Sequence, residues 1–260
     1  MDSTTTRPKR SLGTWMRAVG RARQRTRADM EATMPLLAHL EELRKRLFVA
    51  LGALAATTLL SFAFAQPIMQ FLATPVGGLK GLTSIEVTEN IGAFMRVSLL
   101  SGVALGMPVV VYELLAFVLP GLKENEKRWV FLLVPAATVL FLAGAAFAWF
   151  VMLPVALPFL TQFMGIQTQV RPSNYFGFLT QIMFWLGICF ELPLILMMLA
   201  KLHVVSSKQL LQGWRYAVVG AAVIAAVVTP TVDPVNMSIV MAPLLLLYAV
   251  SILLARMVGN

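Results

Sequence analysis

Apolar residues along this chain gather into long uncharged runs separated by short polar connections, a pattern that predicts membrane-spanning helices and not the stripes of a soluble core. Six runs stand out: Leu47 to Ala65, Val97 to Leu119, Trp129 to about Met164, Tyr175 to Ala200, Tyr216 to Val228 and Met237 to Ala255. The third is longer than one crossing needs, and Pro154 and Pro158 are expected to end its helix, its tail continuing at the far membrane surface. The fifth is short: fourteen rises from Arg215 to Thr229 give about 21 Å against a hydrocarbon core near 30 Å. Pro243 is expected to divide the sixth run, so that both final helices read as short.

Composition sharpens this reading. Across 260 residues, 58% are hydrophobic and only 13% charged, whereas a soluble domain carries about a quarter charged residues. The mean hydropathy is +0.79. The pattern therefore predicts an all-α integral membrane protein with one spanning domain, residues 34–256, flanked by an N-terminal extension, 1–33, and a short tail, 257–260. A lone cysteine, Cys189, excludes a disulfide framework and a cysteine-based zinc site. His39 and His203 lie next to charged loops, far apart in sequence, and read as satisfied or solvated imidazoles. No metal and no cofactor is expected.

Orientation follows from lysine and arginine, which cytoplasmic connections retain. Of the 21 basic residues, eighteen fall on one side: eleven before the first span, Lys123, Lys127 and Arg128 in the second connection, Lys201, Lys208 and Arg215 in the fourth, and Arg256 after the last. Lys80, Arg96 and Arg171 fall on the other. Both termini are thus expected in the cytoplasm, and the net charge of +9 is a topology signal, with no nucleic-acid partner implied. Residues 1–33 hold Arg7, Lys9, Arg10, Arg17, Arg21, Arg23, Arg25 and Arg27 against only Asp2, Asp29 and Glu31. Such a segment cannot fold alone. It reads as a disordered cytoplasmic extension drawn to anionic lipid in preference to an organelle transit peptide, which is also Arg-rich and acid-poor.

Ionisable residues within spans are costly and need an account. Glu191 lies about 24 Å along the fourth helix, counting from Tyr175, and Pro193 two residues later loosens the helix at that depth. A kinked polar site facing a partner and a carboxyl satisfied inside the bundle are equal readings of those residues. Glu113 is near enough to a helix end to reach the headgroups. Asp233 belongs to the turn Thr229-Pro230-Thr231-Val232-Asp233-Pro234 and reads as a turn residue.

Two segments on the cytoplasmic side interleave carboxylates with bases. Residues 39–46 read His-Leu-Glu-Glu-Leu-Arg-Lys-Arg, and the second connection reads Leu119-Pro120-Gly121-Leu122-Lys123-Glu124-Asn125-Glu126-Lys127-Arg128. Local ion pairs and topology anchoring are one reading. The other is that carboxylates on two separate elements receive two guanidinium groups, which bind bidentately and stay charged at any working pH.

These motifs, in this order, resemble the TatC family, the multispanning subunit of the twin-arginine (Sec-independent) protein translocase. The resemblance rests on His39 to Arg46, Pro108 through Tyr112, Phe117, and Pro120-Gly121-Leu122 leading to Glu126. It continues with Gly144-Ala145-Ala146-Phe147-Ala148, Phe190-Glu191-Leu192-Pro193, and Thr229-Pro230 followed by Asp233. It implies a concave bundle of six helices that binds twin-arginine signal peptides of folded precursors at the cytoplasmic face of a bacterial inner membrane. It implies assembly with TatA- and TatB-type single-span partners, further copies of itself, and transport driven by the proton-motive force.

Residue by residue, the resemblance places Glu42 and Glu126 where the family meets the two signal arginines, with Arg44 and Phe117 in or near that site. Glu191 matches the family's polar residue in the fourth span, linked to the partner helices. Pro75 falls where a proline shapes the outer cap, and Pro193 and Asp233 are structural. Glu113 replaces a usual glutamine and Leu115 a usual tryptophan. Glu124 stands where a base is usual, so either Glu124 or Glu126 meets the signal arginine. A secondary transporter using Glu191 is the main rival, although no repeated halves are visible. An intramembrane protease lacks its nucleophile and its aspartate pair.

Overall fold

The computed structural model describes residues 39–118, 128–162, 169–202, 204–229 and 234–258, and among them every regular element is helical. The chain divides into two compact units, Met1–Phe48 and Val49–Asn260. The α-helices among the described residues are α1 His39–Ser61, α2 Ala65–Leu72, α3 Glu89–Val118, α4 Arg128–Phe147, α5 Leu153–Thr161, α6 Pro172–Phe190, α7 Leu192–Lys201, α8 Ser207–Gln212, α9 Trp214–Val228 and α10 Pro234–Val258. Among the described residues four stretches are long and apolar enough to cross a membrane: Glu89–Phe117, Leu132–Thr161, Pro172–Lys201 and Met237–Val258. The pair α1 and α2, bent by 76°, qualifies as a fifth, and α9 is apolar but has only 15 residues.

Three sequence expectations are corrected. The first helix does not run to Ala65; it stops at Ser61 and restarts as α2. Pro67 falls in the first turn of α2, where a helix has no backbone bond to lose to the missing N–H. Pro154 and Pro158 do not end the third helix, which continues to Thr161. A π-helical segment, Ala148–Met152, precedes them; its wider turn removes the clash that Pro154 would otherwise make with the preceding turn. Pro243 does not divide the last helix either. α10 runs unbroken for 25 residues and is not short, because neighbouring helices can compensate one lost backbone bond at membrane depth.

Small residues set the closest approaches. A β-carbon at Gly102 would stand 2.5 Å from the Cα of Thr58, and one at Gly106 would stand 2.9 Å from the Thr57 hydroxyl, so α3 lies directly on α1 where that helix belongs to the larger unit. Ser61 adds a hydrogen bond to the Ser98 carbonyl. α4 and α6 meet as closely, through Gly144 and Gly187, which matches the use of small residues wherever helices pack in lipid. Of the four buried clusters among the described residues, two are large. One joins Ala148, Met152, Ile182, Leu186, Ala225 and Val240; the other joins Leu72, Val97, Leu153, Tyr175, Phe176 and Leu179.

At one end of the bundle, polar ties add to the apolar ones. The Tyr175 hydroxyl donates to the Leu72 carbonyl at 2.6 Å, and the Thr83 N–H donates to the Val170 carbonyl at 3.1 Å. Arg171 donates through Nε to Oε1 of the buried Glu89 at 2.7 Å and through Nη2 to the exposed Glu86 at 3.1 Å. These bonds bind the segment between α2 and α3 to the start of α6.

Candidate functional site

The sequence-predicted residues fall in four places. Glu42 and Arg44 lie on the first turns of α1, in the smaller unit. Glu42 is half-buried, and its Oε1 accepts from both Nε and Nη2 of Arg46, at 3.0 and 2.8 Å. The spacing of four residues puts both side chains on one helix face. Arg44 points elsewhere, its guanidinium carbon 5.8 Å from the centre of the Phe48 ring. The carboxylate predicted to receive an arginine is thus already occupied by one.

Phe117 and Glu113 lie one turn apart near the C-terminal end of α3, both half-buried. The connection that follows, with Glu124 and Glu126, is outside the described residues, as is Asp233.

Glu191 occupies the junction of α6 and α7. The helix tightens there: the Glu191 N–H donates to the Ile188 carbonyl three residues back, and the Glu191 carbonyl accepts from Leu194 and Ile195. Pro193, buried, stands at the start of α7 where no backbone donor is required. The Glu191 side chain is only 7% exposed, and its Oε1 has no hydrogen-bond partner. An orphaned carboxylate oxygen inside a span is expensive.

Pro75 sits exposed in a 3₁₀ turn, Thr74–Val76, which closes into two glycines of positive φ, Gly77 and Gly78. Gly78 donates back to the Ala73 carbonyl, and any β-carbon at Gly81 would collide with the Val76 carbonyl oxygen. The segment is a tight folded cap with little freedom.

Sequence reasoning missed the pairing of Arg171 with Glu89 and Glu86. Its signal was weak: Glu89 ends a polar loop, and nothing local announces that its partner lies 82 residues away. The Glu89 and Glu86 carboxylates hold the Arg171 guanidinium above even its ordinary high range. Among the described residues no group of three histidine, cysteine, aspartate or glutamate side chains is placed to hold a metal.

Long apolar helices, proline-tolerant packing and close contacts between small residues define a multispanning helical membrane protein. Comparison with known proteins makes this specific. The family model for the Sec-independent protein translocase protein (TatC) matches residues 38–243. The chain is 39% identical over 231 residues to the chloroplastic Sec-independent protein translocase protein TATC of Arabidopsis thaliana, covering 87% of this chain and 68% of that one. It is 35% identical to the Sec-independent protein translocase protein TatC of Synechocystis sp., covering 88% and 91%. A crystal structure of the twin-arginine translocase receptor TatC superposes with a TM-score of 0.75 at 33% identity, covering 85% of this chain and 100% of the other. The chain belongs to the TatC family. It is a component of the twin-arginine protein translocation machinery, and its work is protein transport.

Proposed function

We propose that this protein is the receptor subunit of its translocase, binding twin-arginine signal peptides of folded precursors through carboxylates on the side that carries both termini. The observation that carries this reading is the Glu42 to Arg46 pair: a half-buried carboxylate on the HLEELRKR helix face already grips a guanidinium through two donors. A pair of that kind, partly exposed and four residues apart, is worth less than about 1 kcal/mol. An incoming signal arginine can exchange with Arg46 at small cost. Glu126 or Glu124 takes the second arginine, with Arg44 and Phe117 bordering the peptide. The likeness to the solved twin-arginine translocase receptor supports the same reading.

The proposed topology has six crossings, the α1 and α2 pair, α3, α4 with α5, α6 with α7, α9 and α10, forming a concave bundle with both termini cytoplasmic in a bacterial inner membrane. The charge distribution supports it, with eighteen of 21 basic residues on one side. Residues 34–256 form the translocase domain, 1–33 a basic cytoplasmic extension and 257–260 a short tail. Glu191 contacts a TatA- or TatB-type single-span helix, and Pro75, Pro193 and Asp233 hold the cap and helix junctions in shape. Several copies assemble in the active complex, and the proton-motive force drives transport.

Site-specific cross-linking tests the receptor assignment. Probes beside Glu42 and Glu126 should capture a signal peptide carrying Arg-Arg and not one carrying Lys-Lys, because lysine keeps the charge and loses the planar fork. Equal capture of both, or of neither, returns the carboxylates to topology anchors and reopens the secondary transporter reading with Glu191 at its centre.

A further inference from the structure

A groove of about 430 Å³ opens between α3 and α6, lined by Arg96, Leu99, Leu100, Val103, Gln181 and Phe184. Arg96 is exposed within it. Its Nη1 donates to the Ser173 carbonyl at 2.8 Å, and a β-carbon at Gly177 would stand 2.5 Å from that nitrogen. The glycine therefore lets the guanidinium lie across the α6 backbone, fixed by one neutral acceptor. Arg171 takes both nearby carboxylates, Glu89 and Glu86; among the described residues no carboxylate pairs with Arg96. A guanidinium carries five N–H donors, so most of its capacity and all of its charge are left for something outside the chain.

Depth and polarity say what that is. Arg96 stands seven residues, about 10 Å, from the Glu89 end of a 29-residue candidate span. Such a helix is about 43 Å long against a hydrocarbon core near 30 Å, which puts Arg96 just inside the hydrocarbon boundary, within snorkelling reach of the phosphate layer. Going deeper along both helices, the groove passes from Arg96 to the Gln181 amide and then to Val103 and Phe184. That order, cation, neutral polar group, apolar wall, mirrors the phosphate, ester and acyl layers of a phospholipid. A partner's apolar helix would bring no negative charge to Arg96. A zwitterionic lipid would bring its own cation.

We propose that this groove binds one anionic phospholipid from the leaflet at the Glu89 end, its phosphodiester on Arg96 and one acyl chain along Leu99, Val103 and Phe184. Guanidinium and phosphate pair bidentately. The site is independent of the signal-peptide reading, since it uses none of the same residues.

Native mass spectrometry of the full chain, released from micelles holding equimolar phosphatidylglycerol and phosphatidylcholine, tests it. One phosphatidylglycerol should be retained in preference to phosphatidylcholine by about fivefold, the contribution of one basic residue at an anionic surface. Arg96→Gln should bring the ratio to parity. Leu99→Trp, at a position 58% exposed and so harmless to packing, should fill the groove and remove the retained lipid. Equal retention of the two lipids by the unaltered protein overturns the proposal, as does a preference that survives both substitutions. A photo-reactive residue at Leu99 that captures a polypeptide and no lipid would assign the groove to a partner helix instead.

Discussion

Gly144 on α4 and Gly187 on α6 face each other so closely that a β-carbon on Gly144 would stand 2.8 Å from the Cα of Gly187 and 2.6 Å from the Leu186 carbonyl oxygen. Backbone lies against backbone there. A methyl group at Gly144 cannot be absorbed by a rotamer change, so the two helices must move apart.

Gly144→Ala should therefore lower the thermal unfolding midpoint in detergent, an overpacking cost of about 1–3 kcal/mol. Gly220→Ala is the matched control, since a β-carbon at that position of α9 meets nothing within 4 Å. That change should be neutral or slightly stabilising through helix propensity. Equal effects from both would mean that the α4 to α6 contact does not set the stability.

Arg171→Gln and Glu89→Gln break the same ion pair and should not cost the same. Arg171→Gln leaves a buried carboxylate facing no cation, whereas Glu89→Gln leaves a partly exposed guanidinium that still has Glu86. Stranding the buried charge is the costlier change. The unfolding midpoint should fall further for Arg171→Gln, and the reverse order would show that the pair is in effect solvated.

Glu191→Leu removes a buried carboxylate oxygen that has no partner within the chain. The isolated protein should become more stable to heat, as happens when a strained functional group is replaced by an apolar one. Cross-links to single-span partner helices should weaken in the same variant while signal-peptide cross-links persist. A loss of stability would instead place an internal partner on Glu191.

Glu126→Ala and Glu124→Ala separate the two candidate carboxylates of the second connection. A charged hydrogen bond is worth about 1.5–3 kcal/mol, so the substitution that removes the signal contact should lower peptide affinity by at least about tenfold. The other should leave it within about twofold. Deleting residues 1–28 should leave export unchanged, and an abolished export activity would give the basic extension a role in transport.

Much of the architecture was legible in the sequence because bilayer thickness converts apolar run length directly into helices. α9 came out short, and Glu191 came out as the polar interruption of a long span, from residue counting alone. The prolines were not legible in the same way. A helix breaks ahead of Pro67 while none breaks at Pro154 or Pro243, and the difference lies in surroundings: a π turn ahead of Pro154, and neighbouring helices along α10 that tolerate one missing donor. Arg171 was counted only as a charge on one side of the membrane, and Glu89 was not singled out. Their pairing is a product of tertiary placement, for which no local spacing exists.

The bond between Glu89 and Arg171 also orders events during synthesis. Eighty-two residues separate the two, and at translation rates of about 5–20 residues per second the carboxylate waits about 4–16 s for its cation to be made. The third helix must be threaded, and the chain returned to the Glu89 end, before that wait is over. Until then the segment between α2 and α3 has no clasp, and the nascent chain passes through a stage in which α1 to α5 are made while that segment lies open.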